Sequence, residues 1–143
     1  MNVTICNSFV GGCVTAPPSK SYTHRAILAA GHSKSTTVEN PLLSADTLAT
    51  IRAIKAFGSE VEEGEKIKIN GFYDRPIIPD GTIDCANSGT TMRLMMSTAA
   101  LVDGSTILTG DESLRSRPQG NLIDAINQLG GDARSDNNDG KAP

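Results

Sequence analysis

Three short stretches of the chain hold the residue types that grip an anion. The first is Ser19-Lys20-Ser21 with Arg25 about one turn on, inside PPSKSYTHRAIL at 17–28. Pro17-Pro18 ends one element and a helical run starts at once, so Lys20 and Ser21 fall where backbone N–H groups lack partners. The helix dipole favours acids at that end, yet the nearest carboxylates, Glu39 and Asp46, lie well downstream. A bound anion answers the mismatch; the plain alternative is an ordinary cap followed by solvated cations. The second stretch is Asn87-Ser88-Gly89-Thr90-Thr91-Met92-Arg93. Small polar residues again open a helix that reaches an arginine, and Gly89 lets a ligand come close to the backbone. The third is Leu114-Arg115-Ser116-Arg117-Pro118, ahead of the last helical run. Arg117-Pro118 sets a guanidinium beside a rigid helix start. Two arginines so close suit a small carboxylate or phosphate, unless Asp111 or Glu112 neutralises one of them.

Other chemistries find little support. There is no GxGxxG, no GxxxxGK[ST] and no HExxH. His24 and His32 are isolated and read as surface or packed residues, which leaves no Ser-His-Asp constellation. Cys6, Cys13 and Cys85 are an odd number without CxxC spacing. They read as buried or inert thiols of a reducing compartment, with no metal site. A net charge of −3 over 143 residues argues against nucleic acid as the main partner. No apolar run is long enough to span a membrane, and the first residues lack a targeting pattern. These readings imply a cytoplasmic protein with no membrane partner.

The elements that must position these stretches follow from periodicity and punctuation. Residues 3–18 read as strand, Gly-Gly turn and strand. Helices are expected over 19–32 and 44–58, the second capped by Ser44 or Asp46 and closed by Gly58. The first of these is expected to be buried on most sides. A strand is expected within 35–43, and a hairpin over 59–72 around Glu63-Gly64. The pattern then returns: strand, turn and apolar helix over 82–104, strand and turn over 105–117, and a helix over 118–131. AIKAFGSEV (53–61) aligns with AINQLGGDA (125–133), and Arg25 aligns with Arg93. The repeat of about 70 residues exceeds the ~20–50 of solenoid units. It reads as two copies of a β-α-β-α-β-β subdomain, the second stopping where its hairpin should form, which leads us to expect a truncated sequence. With hydrophobic content of 38% and five aromatic residues, none of them Trp, the core must be aliphatic.

SKSYTHRAILAA, NPLLSADTLATIRAIKAFG, NSGTTMRLM and LTGDESLRSRPQGNLIDAINQLG together resemble the N-terminal part of the 3-phosphoshikimate 1-carboxyvinyltransferase (EPSP synthase) family. The resemblance runs through residues 1–143 nearly without gaps. It implies an α/β (α+β) enolpyruvyl transferase fold, an inside-out α/β barrel of repeated βαβαββ units, with about two of its six units present. Residues 1–16 would be opening strands packed with a second domain. Residues 17–143 would be a partial first domain, unit one about 17–80 and an incomplete unit two about 81–143.

The activity implied is transfer of the enolpyruvyl group from phosphoenolpyruvate to the 5-hydroxyl of shikimate 3-phosphate, on the route to chorismate and the aromatic amino acids. The resemblance implies no cofactor, and a monomer for the whole protein. Lys20, Ser21 and Arg25 match contacts to shikimate 3-phosphate. Lys20, Asn87, Gly89 and Arg117 match contacts to phosphoenolpyruvate. Thr90 and Arg93 stand beside that pocket, and Asp46 matches an acid near the interdomain cleft. The family's proton-transfer carboxylates match no residue here, so an inactive half-site is expected. Leu94 departs from the proline that many bacterial relatives carry after the arginine. The same-fold alternative, the transferase acting on UDP-N-acetylglucosamine, has an Ala-Lys-Asn opening where this chain has Ser-Lys-Ser. An alternative of a different class is an anion-binding module without catalysis.

Overall fold

The computed structural model describes residues 3–143. Helix α1 (Lys20–Gly31) starts where the sequence predicts, with Ser19 as N-cap accepting a hydrogen bond from the Tyr22 N–H. Strand β1 (Thr36–Glu39) leads to α2 (Ala45–Ala56). Ser44 and Thr47 close a reciprocal capping box at the start of α2, which satisfies two N–H groups that would otherwise have no partner. Gly58 follows its C-cap with φ of +108°, a conformation that costs glycine little. The hairpin forms as expected from β2 (Glu60–Glu62) and β3 (Lys66–Asn70), with Val61 opposite Ile69. Strand β3 also pairs antiparallel with β1, giving a three-stranded sheet ordered β1-β3-β2.

The second half runs β4 (Ile83–Asp84), α3 (Gly89–Ala99), β5 (Leu108–Thr109), α4 (Glu112–Arg115) and α5 (Gly120–Gln128). Strands β4 and β5 pair in parallel across α3. The single turn α4 appears where the sequence suggests only a turn. The last helix begins at Gly120, so Pro118 precedes it by two residues and does not occupy its first position.

One core joins both halves. Ile67 and Ile69 alternate inward on β3 and meet Ile27 of α1 with Ile51, Ile54 and Phe57 at α2. Met92, Met95, Ile83, Cys85 and Leu114 extend the same cluster. Burying such side chains contributes about 1.5–3 kcal/mol each. Contrary to expectation, α1 is not enclosed: Ile27 and Ala30 are buried while Ala29 on the opposite face is exposed.

The expected opening strands are also absent among the described residues. Residues 3–19 hold no strand, and Ile5, Phe9, Val10 and Val14 are exposed. A strand exists through its ladder hydrogen bonds, and no described strand pairs with this segment. Met1 and Asn2 lie outside the described residues. Residues 129–143 form no hairpin and return as coil beside α5, where the Gln119 N–H donates to the Gly140 carbonyl.

Candidate functional site

Helices α1, α2 and α3 pack together with their N-terminal turns in contact. Lys20 at the start of α1 reaches Asp46 in the first turn of α2, with Nζ 2.8 Å from Oδ2. The Asp46 carbonyl in turn lies 3.2 Å from the Thr91 hydroxyl in the first turn of α3. Three helix openings, each a concentration of partly positive N–H groups, therefore border one region. Asp46 supplies the acid that the sequence around Lys20 lacks. An exposed pair of this kind contributes about 0–1 kcal/mol, which a doubly charged ligand can displace. Arg25 lies on the exposed side of α1 with its guanidinium 4.7 Å from the centre of the Tyr22 ring. Ser21 is exposed beside it.

The second and third stretches converge. Arg117 Nη2 donates to Asn87 Oδ1 at 2.9 Å and to Ser113 Oγ at 3.1 Å, and Nη1 donates to the Asn87 carbonyl at 3.4 Å. Asn87 Nδ2 donates to Asp111 Oδ2 at 2.7 Å. Asp111 also caps α4 by accepting from the Leu114 N–H. Gly89, the first residue of α3, has no side chain in the way: a methyl there would stand 3.3 Å from Arg117 Nη1 and 3.7 Å from Arg93 Nη1. Arg93 Nη2 donates to the Pro118 carbonyl at 3.5 Å. Asn87, Gly89, Arg93 and Arg117 thus form one cluster. Thr90 is exposed on the same turn, and Arg115 stays outside the cluster.

The alternative that Asp111 or Glu112 neutralises an arginine is not what forms. Asp111 spends its oxygens on Asn87 and on the α4 cap; the Asn87 hydrogen bond and then the Leu114 N–H hold its carboxyl below the usual carboxylate range. Among the described residues every ion pair uses a lysine, and no arginine has a carboxylate within 4.0 Å. A groove of about 500 Å³ borders the cluster and is lined by Asp46, Asp84, Asn87 and Asp111. Its acids make it a poor seat for an anion, which points a ligand to the arginine side of Asn87. No group of three metal-ligating side chains occurs among the described residues.

The histidines and thiols complete the electrostatics. His24 is buried at the α1–α2–α3 contact, with Nδ1 2.7 Å from Thr50 Oγ1. Burial lowers its pKa from the ordinary 6.5; Asp46 acts in the opposite direction and Lys20 adds to the lowering. Burial also lowers His32, which stands edge-on to Phe72. Cys85 is buried and its thiol is pushed up to about 12, mainly by burial and then by Asp84. Cys6 and Cys13 are exposed, so the reading of buried thiols holds for Cys85 alone.

A pH prediction follows from the histidines. Both hold fewer protons folded than unfolded, so stability falls as pH drops below 6.5. The lowered carboxylates Asp111 and Glu39 act further down, below their ordinary 3.8 and 4.5. Thermal melts should show a lower midpoint at pH 5.5 than at pH 7.5; an unchanged or higher midpoint contradicts the assignment.

Sequence reasoning missed Asp111 and Ser113 as the residues that hold Asn87 and Arg117. An acid two residues before a serine ahead of Leu-Arg was a legible cap signal for Asp111. Nothing local marked its reach to Asn87.

Comparison with known proteins places this geometry. The structure superimposes on EPSP synthase from Acinetobacter baumannii with a TM-score of 0.86 and 28% identity, over 92% of this chain and 31% of that one. The architecture is therefore an α/β enolpyruvyl transferase fold. Residues 7–143 match the family described as EPSP synthase (3-phosphoshikimate 1-carboxyvinyltransferase), and the chain belongs to that family. Proteins named 3-phosphoshikimate 1-carboxyvinyltransferase from Halorubrum lacusprofundi and Natronomonas pharaonis are 56% and 58% identical, each over 100% of this chain and 33% of its own length. One from Methanosarcina acetivorans is 56% identical, again over the whole chain and 34% of the relative. The chain thus spans about a third of the length of the relatives it matches.

Proposed function

We propose that this chain provides substrate contacts for a 3-phosphoshikimate 1-carboxyvinyltransferase, an enzyme of the shikimate pathway acting in the cytoplasm. The observation that carries the reading is the approach of the Arg93 and Arg117 guanidiniums to Gly89, the first residue of α3. Two arginines free of carboxylates, beside unpartnered backbone N–H groups, suit a small molecule bearing both carboxylate and phosphate. That is the chemistry of phosphoenolpyruvate, with Asn87, Gly89 and Arg117 as its contacts and Thr90 and Arg93 beside them. Lys20, Ser21 and Arg25 take the phosphate of shikimate 3-phosphate. Lys20 exchanges Asp46 for the ligand and faces both substrates.

In the reaction the 5-hydroxyl gives up its proton as its oxygen bonds to C2 of phosphoenolpyruvate, and C3 gains a proton, which gives a tetrahedral ketal. Loss of phosphate from C2 and of a proton from C3 then leaves the enol ether. The contribution of these residues is to hold two mutually repelling polyanions at bonding distance. The proton transfers are assigned to no residue of this chain, and turnover by the chain alone is not expected. The whole protein is taken as a monomer without a cofactor. No helix of the described residues is long and apolar enough to cross a membrane.

Calorimetric titration with shikimate 3-phosphate tests the first site. The wild-type chain should bind, and the Lys20→Ala/Arg25→Ala double variant should bind at least about 100-fold more weakly, because charge-assisted contacts contribute about 1.5–3 kcal/mol each. A folded wild type that does not bind, or a double variant that binds equally well, refutes the assignment.

A further inference from the structure

Behind the helix openings a chain of buried polar side chains crosses all three helices. His24 Nδ1 lies 2.7 Å from Thr50 Oγ1, Thr50 Oγ1 lies 2.7 Å from Thr91 Oγ1, and Thr91 Oγ1 donates to Ser88 Oγ at 2.7 Å. His24, Thr50, Thr91 and Ser88 are each 2% exposed or less. Ser88 is the N-cap of α3 and accepts from the Thr91 N–H at 3.1 Å. None of these four residues is used in the substrate contacts described above.

Counting protons sets the direction of the chain. Each hydroxyl has one hydrogen to donate. The Thr91 hydroxyl has two acceptors in reach, Ser88 Oγ at 2.7 Å and the Asp46 carbonyl at 3.2 Å, and its one hydrogen is assigned to the nearer, Ser88; with either acceptor, the close contact between Thr50 and Thr91 requires Thr50 to donate to Thr91. Thr50 then has no hydrogen left for His24, and the His24–Thr50 contact requires Nδ1–H to be the donor. His24 Nε2 is buried without a partner. In this tautomer Nε2 leaves a lone pair unsatisfied, whereas the other tautomer would strand a buried N–H, the rarer defect in folded proteins. At the far end Ser88 accepts twice, and its own hydrogen has no acceptor among the described residues.

We propose that His24 is a positioning residue for the anion site on α3. As the Nδ1–H tautomer it directs the hydrogen bonds from Thr50 through Thr91 to Ser88, so that the Ser88 hydroxyl keeps its hydrogen for an oxyanion seated at the α3 opening. This rests on the reading of that opening as the phosphoenolpyruvate site. It also links the two sites physically, because His24 sits one turn from Lys20 on α1 and Ser88 stands beside Gly89. Burial keeps the imidazole neutral near neutral pH, against the pull of Asp46 and with the help of Lys20, the two charged groups that act on it. The chain direction survives protonation, since imidazolium also donates from Nδ1.

Two measurements test the proposal. Long-range 15N–1H correlation spectra of the wild-type chain between pH 7 and 8 should show His24 with Nδ1 protonated and Nε2 bare. An Nε2–H tautomer overturns the proposal. Phosphoenolpyruvate titrations of Ser88→Ala and of Thr50→Val should each show affinity reduced about fivefold, the value of one hydrogen bond. The double variant should lose no more than either single one, and Thr50→Ser should restore binding. Losses that multiply in the double variant, or Thr50→Val binding like wild type, overturn it. Failure of the folded wild type to bind phosphoenolpyruvate removes the functional reading and the oxyanion role with it. A wrong tautomer in a wild type that does bind removes only the role of His24.

Discussion

Replacing Arg117 by alanine is expected to weaken phosphoenolpyruvate binding roughly 100-fold, equivalent to about 3 kcal/mol. The guanidinium is held by Asn87 Oδ1, Ser113 Oγ and the Asn87 carbonyl, with Nη1 3.3 Å from where a methyl on Gly89 would stand. Such a pre-positioned fork loses little entropy when it binds a carboxylate or phosphate. Removing it also frees Asn87, which keeps only its bond to Asp111. Arg117→Lys should recover the charge but not the fork, and so should fall between wild type and alanine. Arg117 carries none of the core, so the melting midpoint should move little. Calorimetric titration of the three proteins checks this; equal affinity for phosphoenolpyruvate in wild type and Arg117→Ala would show that the anion sits elsewhere.

Gly71→Ala should produce the largest loss of stability, about 3 kcal/mol or more. A methyl at Gly71 would stand well inside the van der Waals distance of three backbone carbonyls at the end of α1, those of Ala30, Gly31 and Ser33. These atoms are fixed by the helix and by the bond from the Gly71 N–H to the Lys34 carbonyl. The strain has no flexible side chain to absorb it, so β3 and α1 must separate or the backbone must bend. Against a total stability of about 5–15 kcal/mol for a domain, the melting midpoint should fall by roughly 10 °C. Gly81→Ala is the control, since a methyl there meets nothing within 4 Å. Similar midpoints for the two variants would mean that the close approach at Gly71 is not real.

Much of the site was legible because helix openings are local. Ser19, Ser44 and Ser88 cap the three helices as their positions ahead of apolar runs require. The small polar residues and arginines that follow Ser19 and Ser88 mark the stretches proposed to bind anions without any knowledge of packing. The hairpin was legible for the same reason, since alternating residues around Glu63-Gly64 specify both register and turn. The opening strands were not, although residues 3–16 carry a good strand pattern. A strand pattern specifies a surface that fits a sheet, and whether a sheet is there to receive it is settled elsewhere in the structure.

The sequence by itself therefore determined the order of the elements from α1 to α5 apart from the turn α4, the aliphatic core and the family to which the chain belongs. The elements follow from periods of two and 3.6 residues and from turn chemistry, which act within a few residues, the core follows from composition, and the family follows from the motifs the chain shares with its relatives. Tertiary structure alone decided that Lys20 meets Asp46, that Asn87 is clasped by Arg117 and Asp111, and that a buried histidine runs through Thr50 and Thr91 to a helix cap. Apart from the last step, from Thr91 to Ser88, the partners in these contacts are separated by 24 to 41 residues. Their meeting depends on the angles at which helices pack over a shared core, and no local rule of the chain sets those angles.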